Sequence, residues 1–342
     1  MPKLLAAALL GLVCAGCLLA ASKNLEIYWI DAEGGAATLI VSPSGESMLV
    51  DTANRTPDDR DAKRIFAATQ QAGLHKIDML LTTHFHSDHI GAMPALAKLI
   101  PIGMYMDHGE SVEMARPQVA AAYQAYVEQS AGKRRILKAG DRIPLKGVEI
   151  EVIMSAGQAI SKALKGAGAP NAACADFKPH GAEPDPDNDQ SVGFLLQYGK
   201  FRFIDMGDLT WNYEQKLVCP ANLIGPVDLF QTTHHGLDRS NSPQFVWAIQ
   251  PKVAVMNDGP RKGGPPSVFE ILRHSPGLED IWQVHLALGT PKEVNTDEKM
   301  IANLETSAEC KGNWLKVSVD SNGRYTVTNP RNGFSKTYEA KK

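Results

Sequence analysis

The chain has 342 residues, 44% hydrophobic and 21% charged, with a formal net charge of −3. This length and composition suit a globular protein with a sizeable core, as one large α/β domain or two ordinary ones. The slightly acidic balance excludes a global basic field of the kind that draws nucleic acid, and the basic trio Lys133-Arg134-Arg135 reads as a solvated surface patch.

The first 22 residues read as a leader. Met1-Pro2-Lys3 supplies a short positive region, Leu4 to Leu19 is almost wholly apolar, and the small residues Ala20-Ala21-Ser22 follow. That is the order of a secretory signal peptide, cleaved before Lys23, and the apolar run is short for a membrane span. Cys17, after Ala15-Gly16, offers the alternative of a lipoprotein cysteine, although Cys14 stands where such signals carry an aliphatic residue. Export to the periplasm or medium is the expectation, with membrane attachment only through lipidation at Cys17. Outside the leader lie Cys174, Cys219 and Cys310, an odd number with no close pair. They allow one disulfide and a free thiol in an oxidising compartment, and form no CxxC zinc site.

Residues 23–342 then read as one domain. Strand-like runs at Leu25–Ile30, Ala37–Val41 and Met48–Val50 are separated by turn residues. A helix is predicted from Thr56, with Pro57 at its first position and acids in its first turn, to Gly73. Asp78–Thr83 is a strand, Pro94–Leu99 a helix, Gly103–Met106 a strand and Val112–Gln129 a helix. Arg135–Met154 has hairpin character. Residues 155–189 are dense in Gly, Ala, Pro and Asp and read as an inserted loop near the mouth of a site. Order returns with strands Ser191–Tyr198 and Lys200–Asp205, a helix near Leu209–Leu217 and strand Val227–Thr233. Helix Pro243–Ile249, strand Lys252–Asn257, helix Ser267–His274 and strand Asp280–His285 follow. A C-terminal β extension over 305–342 holds strands Asn313–Val319 and Arg324–Asn329. The two alternating blocks predict two packed sheets flanked by helices.

The chemistry concentrates at strand ends. His84-Phe85-His86-Ser87-Asp88-His89 follows the apolar run Met79-Leu80-Leu81. Imidazole nitrogen and carboxylate oxygen are ligands of Zn²⁺ and similar ions. Residues two apart in an extended segment point the same way, so His84 and His86 can converge on one ion. A turn then lets Asp88 and His89 swing toward a second. Farther on, Phe203-Ile204-Asp205-Met206-Gly207-Asp208 ends a strand with a Gly-Asp pair. Val227–Thr233 leads into His234-His235-Gly236. Taken singly, Asp208 would read as a helix cap; the combination in order reads as a two-ion site.

These motifs resemble the metallo-β-lactamase superfamily, whose signature is His-x-His-x-Asp-His, and most closely its ComEC-like branch, the hydrolase domain of the competence protein. The matching pieces are Ile30 through Ile40, Leu49-Val50-Asp51-Thr52, Thr83 through Gly91, Asn188-Asp189-Gln190-Ser191, Gly207-Asp208 and His234-His235-Gly236. The resemblance implies an αββα sandwich with a centre of two divalent ions, Zn first and Mn or Fe as alternatives. It implies that His84 and His86 hold one ion, that Asp88 and His89 hold the other, and that Asp208 bridges them. His235 would complete the second ion and His234 would contact substrate or move a proton, or the two exchange roles. Asp51 and Asp31 would support the ligands from behind. Two departures stand out. The further His ligand of many members has no counterpart in motif form: His108 and His180 lie in that stretch, and Asn188-Asp189 takes the ComEC-like position. The ComEC-like His-Pro after the next strand is replaced by Arg261-Lys262-Gly263-Gly264-Pro265-Pro266.

Two ions about 3.5–4 Å apart lower the pKa of a shared water toward neutrality. The expectation is therefore an exported metal-dependent hydrolase that uses a bridging hydroxide, with Asp88 and His234 in catalytic roles. A phosphodiester or phosphomonoester is the first choice of substrate, with Arg261 and Lys262 available to pair with its charge. A lactone or β-lactam is the alternative, and a non-catalytic binding protein on the same fold the reading from another class. Nucleic acid is the less favoured partner.

Overall fold

The computed structural model describes residues 24–306 and 310–341. The leader at 1–22, with Cys14 and Cys17, lies outside the described residues. The described residues form two nine-stranded sheets. The first runs, in spatial order, Phe334–Glu339, Arg324–Asn329, Leu315–Val319, Leu25–Trp29, Thr38–Val41, Ser47–Val50, Ile77–Leu81, Ile102–Asp107 and Arg134–Ile136. The second runs Ile301–Asn303, Asp280–His285, Val253–Met256, Leu229–Gln231, Phe201–Asp205, Gly193–Tyr198, Glu149–Ser155 and Arg142–Ile143, with Gln158–Ala159 paired to Glu149–Ser155.

Alternation of side chains along each strand sends one set to the interior between the sheets and the other outward. Inward residues of both sheets, among them Ile27, Trp29, Leu81, Phe194, Phe203 and Val255, form one apolar layer. Gln231 Oε1 sits in that layer, accepting from Trp29 Nε1 at 2.6 Å and Thr38 Oγ1 at 2.8 Å, so one buried amide ties the two sheets together. The outer face of the first sheet is covered by Arg60–Gln71, Met93–Leu99 and Pro117–Gln129 through Ile65, Leu96 and Tyr126. Trp211–Val218, Pro243–Ile249 and Pro266–Arg273 cover the second through Leu217, Phe245 and Phe269. The layers are α, β, β and α.

Several predicted boundaries move, each for a local reason. The first helix starts at Arg60, after Asp59 in a left-handed conformation, and neither Thr56 nor Pro57 opens it. Residues 51–54 are committed elsewhere: Asp51 N donates to Leu81 O, Thr52 N to His89 O and Asn54 N to Asp61 Oδ2. The helix predicted from Val112 starts at Pro117, because Ser111 Oγ and Val112 N donate to Asp187 Oδ1. Edge strands Ile301–Asn303 and Phe334–Glu339 were not foreseen; the second has the alternating exposure of a one-sided edge.

Cys174 and Cys219, 45 residues apart, form a disulfide with Cα atoms 5.8 Å apart, and Cys310 is a buried free thiol. The bridge fastens residues 155–189 to the end of the helix Trp211–Val218. Within that stretch lie short 3₁₀ turns at Ala172–Asp176 and Asn188–Gln190.

Candidate metal centre

Strands Ile77–Leu81, Phe201–Asp205, Leu229–Gln231 and Val253–Met256 each end at the same edge of the sandwich, where the chain turns before the next helix. Carboxyl ends of parallel strands are where α/β sheets place their ligands. Leu81 leads to His84, Asp205 to Asp208, Gln231 to His234 and His235, and Met256 to Lys262.

Each turn is held by close backbone contact. Gly207 has φ +56°, and a Cβ there would lie 2.7 Å from Thr83 Cβ, so the Gly-Asp turn presses directly on the residue before His84. His234 and His235 themselves take left-handed φ values of 55° and 56°. Such strain in non-glycine residues persists where surrounding structure over-determines it, and it gathers at functional sites. Here His234 N donates to Gly207 O, and Asn241 Oδ1 accepts from Thr233 N at 3.0 Å.

The turns bring Asp88, His89, Asp208 and His235 together, with one ligand atom from each within 4.8 Å of all the others. His89 Nε2 lies 3.2 Å from His235 Nε2 and 3.2 Å from Asp208 Oδ2. His235 Nε2 lies 3.4 Å from Asp88 Oδ2 and 3.5 Å from Asp208 Oδ1. The outer ring nitrogens settle the tautomers. His235 Nδ1 faces the carbonyl of Asn257 at 3.2 Å and must donate. His89 Nδ1 faces Asp51 Oδ2 at 2.7 Å, whose carboxylate also accepts from Thr83 N and Thr83 Oγ1. In their neutral forms, the forms that ligate a metal, the two rings point Nε2 lone pairs at each other, flanked by two carboxylates. A cation among them resolves that conflict, and the carboxylate or carbonyl behind each ring is the usual support of a ligating histidine.

His84 and His86 repeat the pattern beside this group. His84 Nε2 and His86 Nδ1 are 2.9 Å apart. Thr83 Oγ1 has its proton on Asp51 and takes His84 Nδ1–H at 3.2 Å, while Glu113 Oε1 faces His86 Nε2 at 3.3 Å. Both inward nitrogens are again acceptors. The rings of His84 and His89 lie 4.0 Å apart, so the two groups are contiguous.

The electrostatics report a deficit of positive charge. Burial alone would push His89 down, but Asp208, Asp51 and Asp88 raise it well above the ordinary imidazole value. Burial would push Asp208 up, yet His234, His89 and His235 hold it well below the carboxylate range. Asp88 is opposed by burial and held well below by His89, His235 and Lys262. His84, buried and beside His89 and His86, is pushed well down. His234 is lowered to about 4, chiefly by burial. Its Nε2 stands 3.3 Å from Asp208 Oδ2, and its Nδ1 reaches Ser240 Oγ at 3.2 Å.

A cation should therefore stabilise the fold as well as complete the site. Dialysis against a chelator is expected to lower the unfolding temperature, and Zn²⁺ or Mn²⁺ to restore it. An ion at 100 to 1,000 times its Kd is worth about 3–4 kcal/mol. Differential scanning calorimetry of stripped and reloaded protein checks this; superimposed curves would sink it.

The remaining sequence expectations divide. Asp51 lies directly behind His89. Asp31 does not support the site; it binds Arg64 at 3.2 Å and belongs with His285 and Cys310 in a separate buried cluster. Neither His108 nor His180 joins the centre. His108 Nε2 lies 3.5 Å from Asp187 Oδ2, and His180 stacks on Trp211. Sequence reasoning missed two participants, Glu113 and Asp187, and named Lys262 only as a partner for substrate charge. Glu113 lies behind His86. Asp187, set among loop acids without periodicity, accepts from Phe85 N at 2.8 Å and holds the first cluster open. Lys262 pairs with Asp88 Oδ2. A cleft of about 340 Å³ opens over the group, bounded by His86, Asp88, Asn188, Asp208, His234 and Lys262.

Residues 30–158 match the family model described as the metallo-beta-lactamase superfamily. Over 88 residues the chain is 38% identical to a UPF0173 metal-dependent hydrolase of Cupriavidus necator, covering 25% of this chain and 27% of that protein. Over 258 residues it is 24% identical to ComE operon protein 3 of Bacillus subtilis, covering 70% of this chain and 29% of that one. The matched segments thus span under a third of these relatives. Among solved structures, the metallo-beta-lactamase fold protein YhfI from Bacillus subtilis aligns with a TM-score of 0.47 and 10% identity, covering 75% of this chain and 95% of that one.

Proposed function

We propose that this chain, whose residues 30–158 match the metallo-beta-lactamase superfamily, is a metal-dependent hydrolase that cleaves an anionic phosphoester, preferably a diester, with two divalent ions. The observation that carries the substrate class is Lys262. Its ammonium enters the cleft beside Asp88, delivered by a tight turn that depends on glycine. Gly263 has φ +87°, and a Cβ there would lie 1.9 Å from His235 O. Gly259 N closes the same turn on Lys262 O at 2.8 Å. A cation so fixed beside the ligands suits an oxygen that stays negative throughout the reaction. Arg116 and Arg239 also border the cleft, held at its rim by Glu113, Asp185 and Glu183.

In this reading Asp88, His89, Asp208 and His235 would hold one ion, and His84 and His86, beside them, would hold the other. Zn suits the donors, as do Mn and Fe. Bound ions supply an activated water and neutralise developing charge. The chain's own residues do the rest. Lys262 holds the substrate's anionic oxygen. His234, neutral and with Nε2 facing the cleft, accepts the proton released in attack and returns it to the leaving oxygen. Export is part of the proposal, supported by the disulfide between Cys174 and Cys219, since such bridges persist in oxidising compartments.

Side-by-side assays with bis-p-nitrophenyl phosphate, a neutral lactone and a chromogenic β-lactam test the substrate class. The diester is expected to turn over fastest. Lys262→Met should raise its KM about 10–100-fold, the worth of a hydrogen bond to a charged group, with little change for a neutral ester. Faster turnover of the lactone or lactam, or an unchanged KM in the variant, overturns the proposal.

A further inference from the structure

An ion at His84 and His86 would have only those two histidines and Asp208 nearby, since His108 pairs with Asp187 and His180 stacks on Trp211. We propose that the side-chain oxygen of Asn188 is its missing protein ligand. Asn188 is 1% exposed, yet its Oδ1 has no hydrogen-bond partner. A buried amide oxygen left unpaired costs about 1–3 kcal/mol, so its persistence calls for a partner. Which way the amide faces follows from its other end. Nδ2 donates to Glu183 Oε1 at 3.3 Å, and Arg239 NH1 fixes that carboxylate at 2.7 Å. Turning the amide over would set oxygen against oxygen, so Oδ1 is held on the far side from Glu183. Asn188 borders the cleft together with His86, Asp88 and Asp208.

The backbone around it is fastened to both halves of the centre. The preceding residue, Asp187, accepts from Phe85 N, between the two histidines. Three residues on, Ser191 Oγ accepts from Asp208 N at 3.2 Å, and Val192 N donates to Thr83 O. The 3₁₀ turn Asn188–Gln190 is thereby fastened to both halves of the centre, at the border of the cleft they share. An amide oxygen is a neutral, hard donor. It fits a divalent ion already carrying imidazole nitrogens, and shifts preference from Zn toward Mn or Fe relative to a third histidine.

This inference rests on the two-ion centre and is independent of the phosphoester. Its test is metal binding by the intact chain, read by elemental analysis after equilibrium dialysis and by chelator competition with Mn²⁺ and Zn²⁺. Asn188→Leu keeps the volume and removes the donor; it is expected to lower affinity for one of two ions at least tenfold and leave the other unchanged. Asn188→Asp combined with Glu183→Gln keeps the shape, adds charge at the ion and supplies a donor for the outer oxygen, and is expected to bind that ion more tightly than wild type. Opposite shifts separate ligation from a folding defect, which would weaken both variants alike. Affinities equal to wild type, or an equal fall in both variants, overturn the assignment, as does a wild-type chain that saturates at one ion. A wild-type chain that takes up no ion overturns the metal centre itself.

Discussion

Asp208→Ala is expected to abolish turnover and to release metal from the protein. Asp208 is buried and within 3.5 Å of ring nitrogens of His89, His234 and His235. Asp88 reaches two of these rings, His89 at 3.6 Å and His235 at 3.4 Å, whereas Asp208 reaches all three. Loss of ion-mediated charge stabilisation removes several kcal/mol, so kcat should fall about 10³-fold or more. Asp51→Asn, one shell back, offers a graded comparison. It leaves His89 in place but weakens the acceptor of its Nδ1–H, and an outer partner of this kind is worth about 10–100-fold in metal affinity. Elemental analysis and kcat measured on the same preparations check both. Full metal content with full activity in Asp208→Ala would falsify the centre.

Joint replacement of Cys174 and Cys219 by Ser is expected to cost about 2–4 kcal/mol, the chain-entropy value for closing a loop of this length. The bridge spans 45 residues and ties the segment before Asp187 and Asn188 to the helix Trp211–Val218. Activity at 25 °C should survive, because the residues at the site are held by their own contacts, Asp187 on Phe85 and Ser191 on Asp208. Urea denaturation of wild type and variant, with and without reductant, reads the difference. A wild-type midpoint that does not move on reduction speaks against the bridge.

Much of the architecture was legible because burial imposes a period. Runs such as Val253–Met256 and Asp280–His285 are apolar enough to be strands, and Val268, Phe269 and Leu272 fall on one face of the helix Pro266–Arg273. Boundaries failed where backbone groups were spent on tertiary partners. Pro57 and Val112 carry local helix signals, but Asp61 and Asp187 draw the neighbouring N–H groups into loops. No window of sequence contains both ends of such a contact.

The same division holds at the site. His84-Phe85-His86-Ser87-Asp88-His89, Gly207-Asp208 and His234-His235-Gly236 announce metal-binding donors from residue type and spacing alone, because few other arrangements need three imidazoles and a carboxylate in six residues. Which nitrogen of each ring faces inward is a property of partners 20 to 40 positions away: Asp51 for His89, Asn257 for His235, Glu113 for His86. The pairing of Lys262 with Asp88 spans 174 positions. By itself the sequence determined the donor set and the strand ends that present it, since both follow from local chemistry and periodicity. The tertiary structure alone decided how those donors are oriented, that Asp31 stands apart from them, and that Asn188 and Lys262 border the same cleft, because these depend on how two sheets stack and where their loops meet.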